Sequence, residues 1–421
     1  GLSHRYFLNP KSFIKTTIAT TTNGLDLSTK TLNNQLEFFP LEKIKSNHTN
    51  LTFTSFVNTK FGKKHTNKTG VILTGIFYDF HFQSGLDSEE ALQTISNKNG
   101  FSSLLSAYTN SSYSLTDNVI FNLGVHTQLF TLNNRYTIEP RFGLKWHFKP
   151  NQSVGFGYGL HSRLEKLNYY FAISPETGDK LINKNLDFTK SHHFVLSYDR
   201  TIGENTRLKI EPYYQQIFNV PVTAEGSFSL INLQNDWFFN EELVNKGKGR
   251  NYGIDLTLEQ YLFNGCYFMT TASLFNSEYS GSNGIWNPTR YNRNYLFNFL
   301  IGKEWQAGKN NQNIFGVNTR LSYQGGDRYT PINETESVQT QSVVFDQSKP
   351  FSKQFPAAFT GHITINYKVN KEKSTHEFAF KLLNATMYEE FTSFEYNLKQ
   401  HRVDEVRDAI FIPNISYKIQ F

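Results

Sequence analysis

The sequence predicts an all-β fold, a transmembrane antiparallel β-barrel, on three observations. Apolar and polar residues alternate over stretches of ten or more residues, many times along the chain. The connections between stretches alternate between short and long. No run approaches the roughly 18 apolar residues that a membrane helix needs. The chain has 421 residues, of which 38% are hydrophobic and 16% aromatic. So many aromatic rings in a polar chain require half-buried or interfacial positions.

The alternation is clearest in YTIEPRFGLKWHF, where Ile138, Pro140, Phe142, Leu144, Trp146 and Phe148 share one face, and Glu139, Arg141, Lys145 and His147 the other. In RLKIEPYYQQIF, Leu208, Ile210, Pro212 and Tyr214 oppose Arg207, Lys209, Glu211 and Gln215. NYGIDLTLEQYL sets Tyr252, Ile254, Leu256 and Leu258 against Asp255, Thr257 and Glu259. The chain closes on FIPNISYKIQF, with Phe411, Pro413, Ile415, Tyr417, Ile419 and Phe421 on one face. Strands of soluble sheets usually run about five or six residues, whereas a strand tilted across a bilayer needs about nine to eleven. These stretches match the second length, which assigns the apolar face to lipid and the charged face to a lumen.

The connections agree. Short ones are KPNQ (149–152), IGEN (202–205), FNG (263–265), AGKNN (307–311) and NKEKS (370–374); long ones lie near 83–97, 164–187, 219–247, 327–350 and 392–407. One rim of turns and one of loops is the layout of an outer-membrane barrel. The pattern predicts about sixteen strands: 12–22, 47–60, 66–82, 98–114, 117–131, 136–148, 151–163, 187–201, 205–218, 248–263, 266–280, 291–307, 312–325, 352–369, 374–390 and 409–421. Residues 23–46 read as loop, with LEFFPLEKI as the place where a further strand would fit. Trp146, Phe148, Tyr267, Phe268 and Tyr417, near strand ends, are expected in interfacial girdles.

Composition excludes other classes. The net charge of +6 is spread among 42 Lys and Arg and 36 Asp and Glu with no basic stripe, so no nucleic-acid partner is expected. A single cysteine, Cys266, rules out an intramolecular disulfide. GFGYG (155–159) lies in a strand and opens no helix, so its glycines read as inward positions where the wall is crowded. His192 and His193 are strand neighbours and point to opposite faces, so a shared metal is not expected. No cofactor and no catalytic constellation is predicted, and the chain does not read as an enzyme.

Several longer stretches carry a family likeness. EPRFGLKWHFKPNQSVGFGYGLHS (139–162), KSHHFVLSYDRTIGENTRLKIEPYYQQIFNVPV (190–222), LVNKGKGRNYGIDLTLEQYL (243–262), GGDRYTPI (325–332) and the closing FIPNISYKIQF resemble the barrel of TonB-dependent receptors, particularly those of Bacteroidetes. The resemblance implies a location in the bacterial outer membrane and a barrel of about twenty-two strands around an amino-terminal plug. It also implies energised uptake of a scarce nutrient, driven by the TonB-ExbB-ExbD system through the plug. Neither a plug nor a TonB-contacting segment precedes residue 12, so residues 1–421 read as the carboxy-terminal portion of such a barrel, whether cropped, split or degenerate. Phe421 resembles the terminal signal read by barrel-assembly machinery, and a surface lipoprotein lid over the mouth stays open as a further partner.

Candidate ligand contacts are loop aromatics and their polar neighbours: Trp237, Phe238 and Phe239 in NDWFFN, Trp286 in GIWNPTR, and Arg328 and Tyr329 in GGDRYTPI. Loop packing is the competing role for each. Lumen-facing candidates are Glu139, Arg141, Lys209, Glu211, Asp255 and Glu259, either contacting a plug or ligand or forming mutual ion pairs on a wetted wall. Two other functions stay open. A passive sixteen-stranded porin predicts pairing of 12–22 with 409–421; a surface adhesin of soluble sandwiches predicts strands of five to seven residues.

Overall fold

The computed structural model describes residues 1–32, 37–85, 92–173, 180–233, 239 and 241–421. In chain order the strands are β1 (Leu2–Asn9), β2 (Ser12–Leu32), β3 (Phe38–Lys60), β4 (His65–Ser84), β5 (Gln93–Thr116), β6 (Val119–Phe130), β7 (Arg135–Lys149), β8 (Gln152–Arg163), β9 (Thr189–Ile202), β10 (Thr206–Thr223), β11 (Leu243–Phe263), β12 (Cys266–Ser280), β13 (Trp286–Pro288), β14 (Tyr295–Ala307), β15 (Asn313–Gln324), β16 (Arg328–Tyr329), β17 (Lys353–Gln354), β18 (Ala358–Asn370), β19 (Thr375–Leu383), β20 (Glu390–Asn397), β21 (Arg402–Asp408) and β22 (Ile412–Gln420). Eighteen of them form one sheet, and β16 with β17 and β20 with β21 form two separate hairpins. A short helix, α1 (Glu334–Thr340), capped by Asn333 accepting from the Glu336 amide, lies in the β16–β17 connection.

Every ladder in the large sheet is antiparallel and joins neighbours along the chain, with β12 sharing its far edge between β13 and β14. Such a meander needs only hairpin turns on one rim. The turn after β11 shows how the residues make it: Asn264 (φ 49°) and Gly265 (φ 73°) hold the two left-handed positions of a two-residue hairpin, with Phe263 opposite Cys266. Among the described residues β1 pairs with β2 alone and β22 with β19 alone. Strand β2, which contains residues 12–22, takes β1 and β3 as partners, so the porin pairing is not formed there.

The strand count and lengths correct the expectation of about sixteen. β1 went unread because His4 and Arg5 put polar groups on both faces and mask the alternation. Residues 23–32 and 38–46, expected as loop, continue β2 and β3 in unbroken pairing from Asn23 opposite His48 to Leu32 opposite Phe38, with one register shift after Thr29. There much of both faces is wetted, alternation fades, and the backbone ladder alone carries the strand. The segment near 392–407 likewise holds the β20–β21 hairpin.

The two faces of the sheet differ as period two requires. One exposes Ile138 (58%), Trp146 (50%), Leu196 (56%) and Ile254 (41%), as part of a belt that includes Phe299, Ile365 and Phe378. A soluble monomer rarely leaves so extensive an apolar surface in water. The opposite face is concave: at the long-loop end Ile76, Phe80, Phe82 and Phe130 are buried on it, covered by the β8–β9 connection. No helix among the described residues is long and apolar enough to cross a membrane.

Candidate functional site

Two connections fold over the concave face and build the site. From β8 the chain enters a single 3-10 turn, Leu167–Phe171, whose Tyr169, Tyr170 and Phe171 are all buried. Phe171 lies 4.5 Å from the ring of Tyr78 and 5.9 Å from that of Phe80; Tyr170 meets Phe130 edge-on at 5.3 Å. The Ile173 amide donates to the Ile95 carbonyl at 2.9 Å, so the connection is tied to the far strands through its backbone as well. Burial pushes the Tyr170 phenol above its ordinary pKa, which keeps it neutral. The β10–β11 connection packs beside it: Asn183 Nδ2 donates to the Glu241 carbonyl (2.9 Å), the Leu243 amide donates to Asn183 Oδ1 (2.8 Å), and the Asp187 amide donates to Asn245 Oδ1 (2.8 Å).

Because three buried rings hold the first strap, Phe171→Ala is expected to release it while leaving the wall intact, at a cost of about 3 kcal/mol confined to the connection. Limited proteolysis checks this: cleavage within 164–188 should accelerate, with unchanged heat-modifiable migration of the barrel. Equal protease resistance in the variant would show that the rings do not hold the strap.

Under the straps, against the inner face of β8 to β12, lies a cavity of about 1150 Å³. Its wall is electrically divided. Glu211 and Asp255, directly opposed across β10 and β11, form an acidic side with Tyr213 next to them. Arg163, Lys166 and Lys190 form a basic side beside the imidazoles of His161 and His193; Arg163 lies 3.8 Å from Glu165 and Lys190 4.0 Å from Asp187, and Glu165 accepts from Thr189 Oγ1 at 2.6 Å. Leu230, Ile231, Leu233 and Phe275 supply apolar surface. Gln215, Asn251 and Ser277 are joined by hydrogen bonds of 3.0 and 2.7 Å and offer amides to the same space. The Ser191 hydroxyl on this wall has no partner among the described residues. The arrangement can bind a molecule of several hundred Å³ that carries both charge signs or many hydrogen-bonding groups. Among the described residues no cluster of three or more ligating side chains could hold a metal ion.

Each lumen-facing candidate has a definite place. Glu139, 1% exposed, accepts from Gln128 Nε2 (2.8 Å), meets His126 Nδ1 (3.0 Å) and Arg141 Nη2 (3.1 Å), and takes a short bond from the Ser162 hydroxyl. Lys209 pairs with Glu211 at 2.7 Å, and Asp255 accepts from the Ser273 hydroxyl. Glu259 shares Arg207 with Asp199 across three strands. Of these six, Glu211 and Asp255 line the cavity.

The loop candidates are scattered. Trp237 and Phe238 lie outside the described residues; Phe239 stacks on Phe228 at 4.6 Å. Trp286, opposite Ser280, sits beneath the Arg250 guanidinium (4.3 Å), and Arg250 pairs with Glu278. Arg328 donates to the Asn292 carbonyl and to Asn294 Oδ1, both at 2.9 Å, while Tyr329 stacks on Phe355 (4.3 Å) and leans on Phe394 (5.3 Å). His192 and His193 do point apart, the first to Tyr158 and Phe218, the second to His161. In GFGYG, a Cβ on Gly159 would sit 2.5 Å from His161 and one on Gly155 2.6 Å from Ser197, whereas Gly157 has open space. Phe421 is 97% exposed. The basic side of the cavity was missed in the sequence because its residues are spread over a strand end, a loop and the next strand; only the density of His, Arg and Lys in 161–166 and 190–193 marks it.

No protein-family model matches this sequence, and no curated protein sequence does. Solved structures do match, at probability 1.00. The chain is similar to the ferric-catecholate import receptor Fiu of Escherichia coli K12 (TM-score 0.68, 12% identity, 99% of this chain and 63% of that one). It is similar also to the siderophore receptor PiuA of Acinetobacter baumannii (0.67, 13%, 99% and 63%) and to the ferric yersiniabactin uptake receptor FyuA of Yersinia pestis (0.67, 12%, 100% and 60%). This chain therefore spans about three fifths of the length of each. With its charged concave face, apolar outer belt and alternating turns and loops, it has the fold of the TonB-dependent siderophore-receptor barrel.

Proposed function

We propose that this chain is the wall and mouth of an outer-membrane transporter that takes up a scarce nutrient with energy relayed by TonB through a plug domain. The observation that carries the reading is the divided cavity beneath two inward-folded straps, on the concave side of a sheet whose other side is apolar. A passive pore needs a continuous water path, and the two connections folded over the concave face support instead a site that would retain a ligand. The reading also requires the free edges of β1 and β22 to be paired within the bilayer, since each unpaired backbone group in hydrocarbon costs several kcal/mol. The similar receptors import ferric chelates by their names, which makes iron chelates the first ligands to assay. Loop residues Phe239, Trp286, Arg328 and Tyr329 serve in this reading to hold the mouth in shape, with Glu211 and Asp255 facing the cargo.

The test is uptake of labelled ferric chelates by cells that carry or lack the gene, each with and without TonB. Accumulation should need both, and Glu211→Gln with Asp255→Asn should weaken binding about tenfold or more, in line with loss of charge-assisted contacts. Uptake independent of TonB, or steady conductance in planar bilayers, would instead support a porin. Recovery of the protein outside the outer-membrane fraction would remove both readings.

A further inference from the structure

His161 on β8 and His193 on β9 both face the cavity, with ring centres 4.7 Å apart and ring planes inclined at 47°. A missing side chain brings them together. Gly159 is the ladder partner of His193, and a Cβ there would lie 2.5 Å from His161 Nε2, so the His161 imidazole occupies the space that a side chain would take. Among the described residues neither ring engages a nitrogen in a hydrogen bond; each meets the other ring instead. The ground beside the pair is open, since nothing lies within 4 Å of the Cβ position of Gly157, the preceding inward residue of β8. Ser191, opposite His161, offers a hydroxyl without a partner among the described residues, and Gln215 stands opposite His193.

Two imidazoles with unengaged nitrogens on a cavity wall are ligands for a borderline metal ion. A metal–nitrogen bond is about 2.0–2.1 Å, and the ring centre lies about 1.1 Å beyond the nitrogen. Two imidazoles on one ion therefore have centres about 4.5 Å apart at 90° and about 5.2 Å apart at the tetrahedral angle. The observed 4.7 Å is nearer the first, the angle of tetragonal copper(II) or nickel(II), and copper is bound the more tightly of the two. Two nitrogens fill only half of such a plane, and among the described residues no third ligating side chain joins them. The ion must bring the rest of its shell.

We propose that His161 and His193 ligate copper(II) that arrives in an organic chelator, and that this complex is the cargo. The inference rests on the transporter reading above and narrows its substrate class. The chelator leaves two adjacent positions of the ion free, unlike a ferric chelate whose six positions are filled. The rest of the cavity matches an aminocarboxylate of this kind: its carboxylates would face Arg163, Lys166 and Lys190, and its amines Glu211 and Asp255. Ligation then fixes the metal end of the cargo, and charge pairing orients the organic end.

The experiment is equilibrium dialysis of the untagged protein, purified in mild detergent, against copper(II) iminodiacetate, a ferric trihydroxamate, or copper(II) alone. Pulsed electron paramagnetic resonance of the copper samples counts the imidazoles on the ion. The copper chelate should bind with two imidazoles. His161→Ala and His193→Ala should each weaken it at least about tenfold and leave one imidazole. Gly159→Ala, whose Cβ displaces the His161 ring, should weaken it as well, whereas His401→Ala in the β20–β21 turn should leave it unchanged. Heat-modifiable gel migration confirms that each variant is folded. Unaltered binding in both histidine variants, or a bound complex without imidazole signals, overturns the site. Copper alone bound as tightly as its chelate, or the ferric complex bound as tightly as the copper one, overturns the chelated copper cargo. TonB-dependent uptake of the ferric chelate with no binding of the copper chelate would fail this inference alone, whereas uptake independent of TonB would fail the transporter reading.

Discussion

Leu256→Arg should destabilise the folded protein in lipid by about 2–4 kcal/mol, while Thr257→Arg, one residue along, should cost under about 1 kcal/mol. The contrast follows from the side on which each residue stands. Leu256 pairs with Ile210 and Ala272 on the outer face; Thr257 pairs with Lys209 and Thr271 on the inner face, flanked along its strand by Asp255 and Glu259. Leu256 lies seven residues from the end of β11 at Phe263. At about 3.3 Å per residue and a tilt near 40°, that is about 18 Å above the turn, inside an apolar band about 25 Å tall. A guanidinium there cannot reach water without deforming the bilayer. At 257 it meets Lys209 across the ladder, but two carboxylates flank it along its own strand and its face is polar, which keeps the cost small. Urea unfolding from phosphatidylcholine vesicles measures both variants. Equal costs would mean that protein rather than lipid covers Leu256, and the transporter reading would go with it.

Glu139→Ala should cost about 2 kcal/mol of global stability, the second largest effect expected on the sheet itself. The carboxylate is buried and serves His126, Gln128, Arg141 and Ser162 at once. Removing one partner of a buried charge pair typically costs about 3–5 kcal/mol. Here Arg141 is 46% exposed and can turn to water, so the cost falls below that range and the loss is chiefly that of His126, Gln128 and Ser162. Glu139→Gln keeps an acceptor and should cost about half as much. Denaturant midpoints of the two variants decide; an alanine variant as stable as the parent would show that water replaces the carboxylate freely.

The legibility of the fold followed the solvent. Where one face is apolar and the other polar, as at Ile210, Leu256 and Ile138, alternation in the residues states the strand and its orientation. Where water wets both, as in 23–32, or polar groups fall on both faces, as at His4 and Arg5, the pattern vanishes although the ladder persists. The site was less legible still. Trp286, Arg328 and Tyr329 stood out as polar-loop aromatics or cations, yet their contacts are Arg250, Asn292 and Phe355. The cavity brings Arg163, Lys190 and Asp255 together from three stretches that share no local pattern.

By itself, the sequence determined the period-two chemistry of the strands with one apolar face, the tight turn at Asn264 and Gly265, and the side on which the charges of those strands stand, because these depend on a residue and its immediate neighbours. Only the tertiary structure decided that the β8–β9 connection crosses the concave face to bury Tyr170 against Phe130, and that Glu211 and Asp255 share a cavity with Arg163 and Lys190. Those contacts depend on how a curved sheet brings distant strands face to face, and backbone pairing between neighbours leaves no mark of that in either partner.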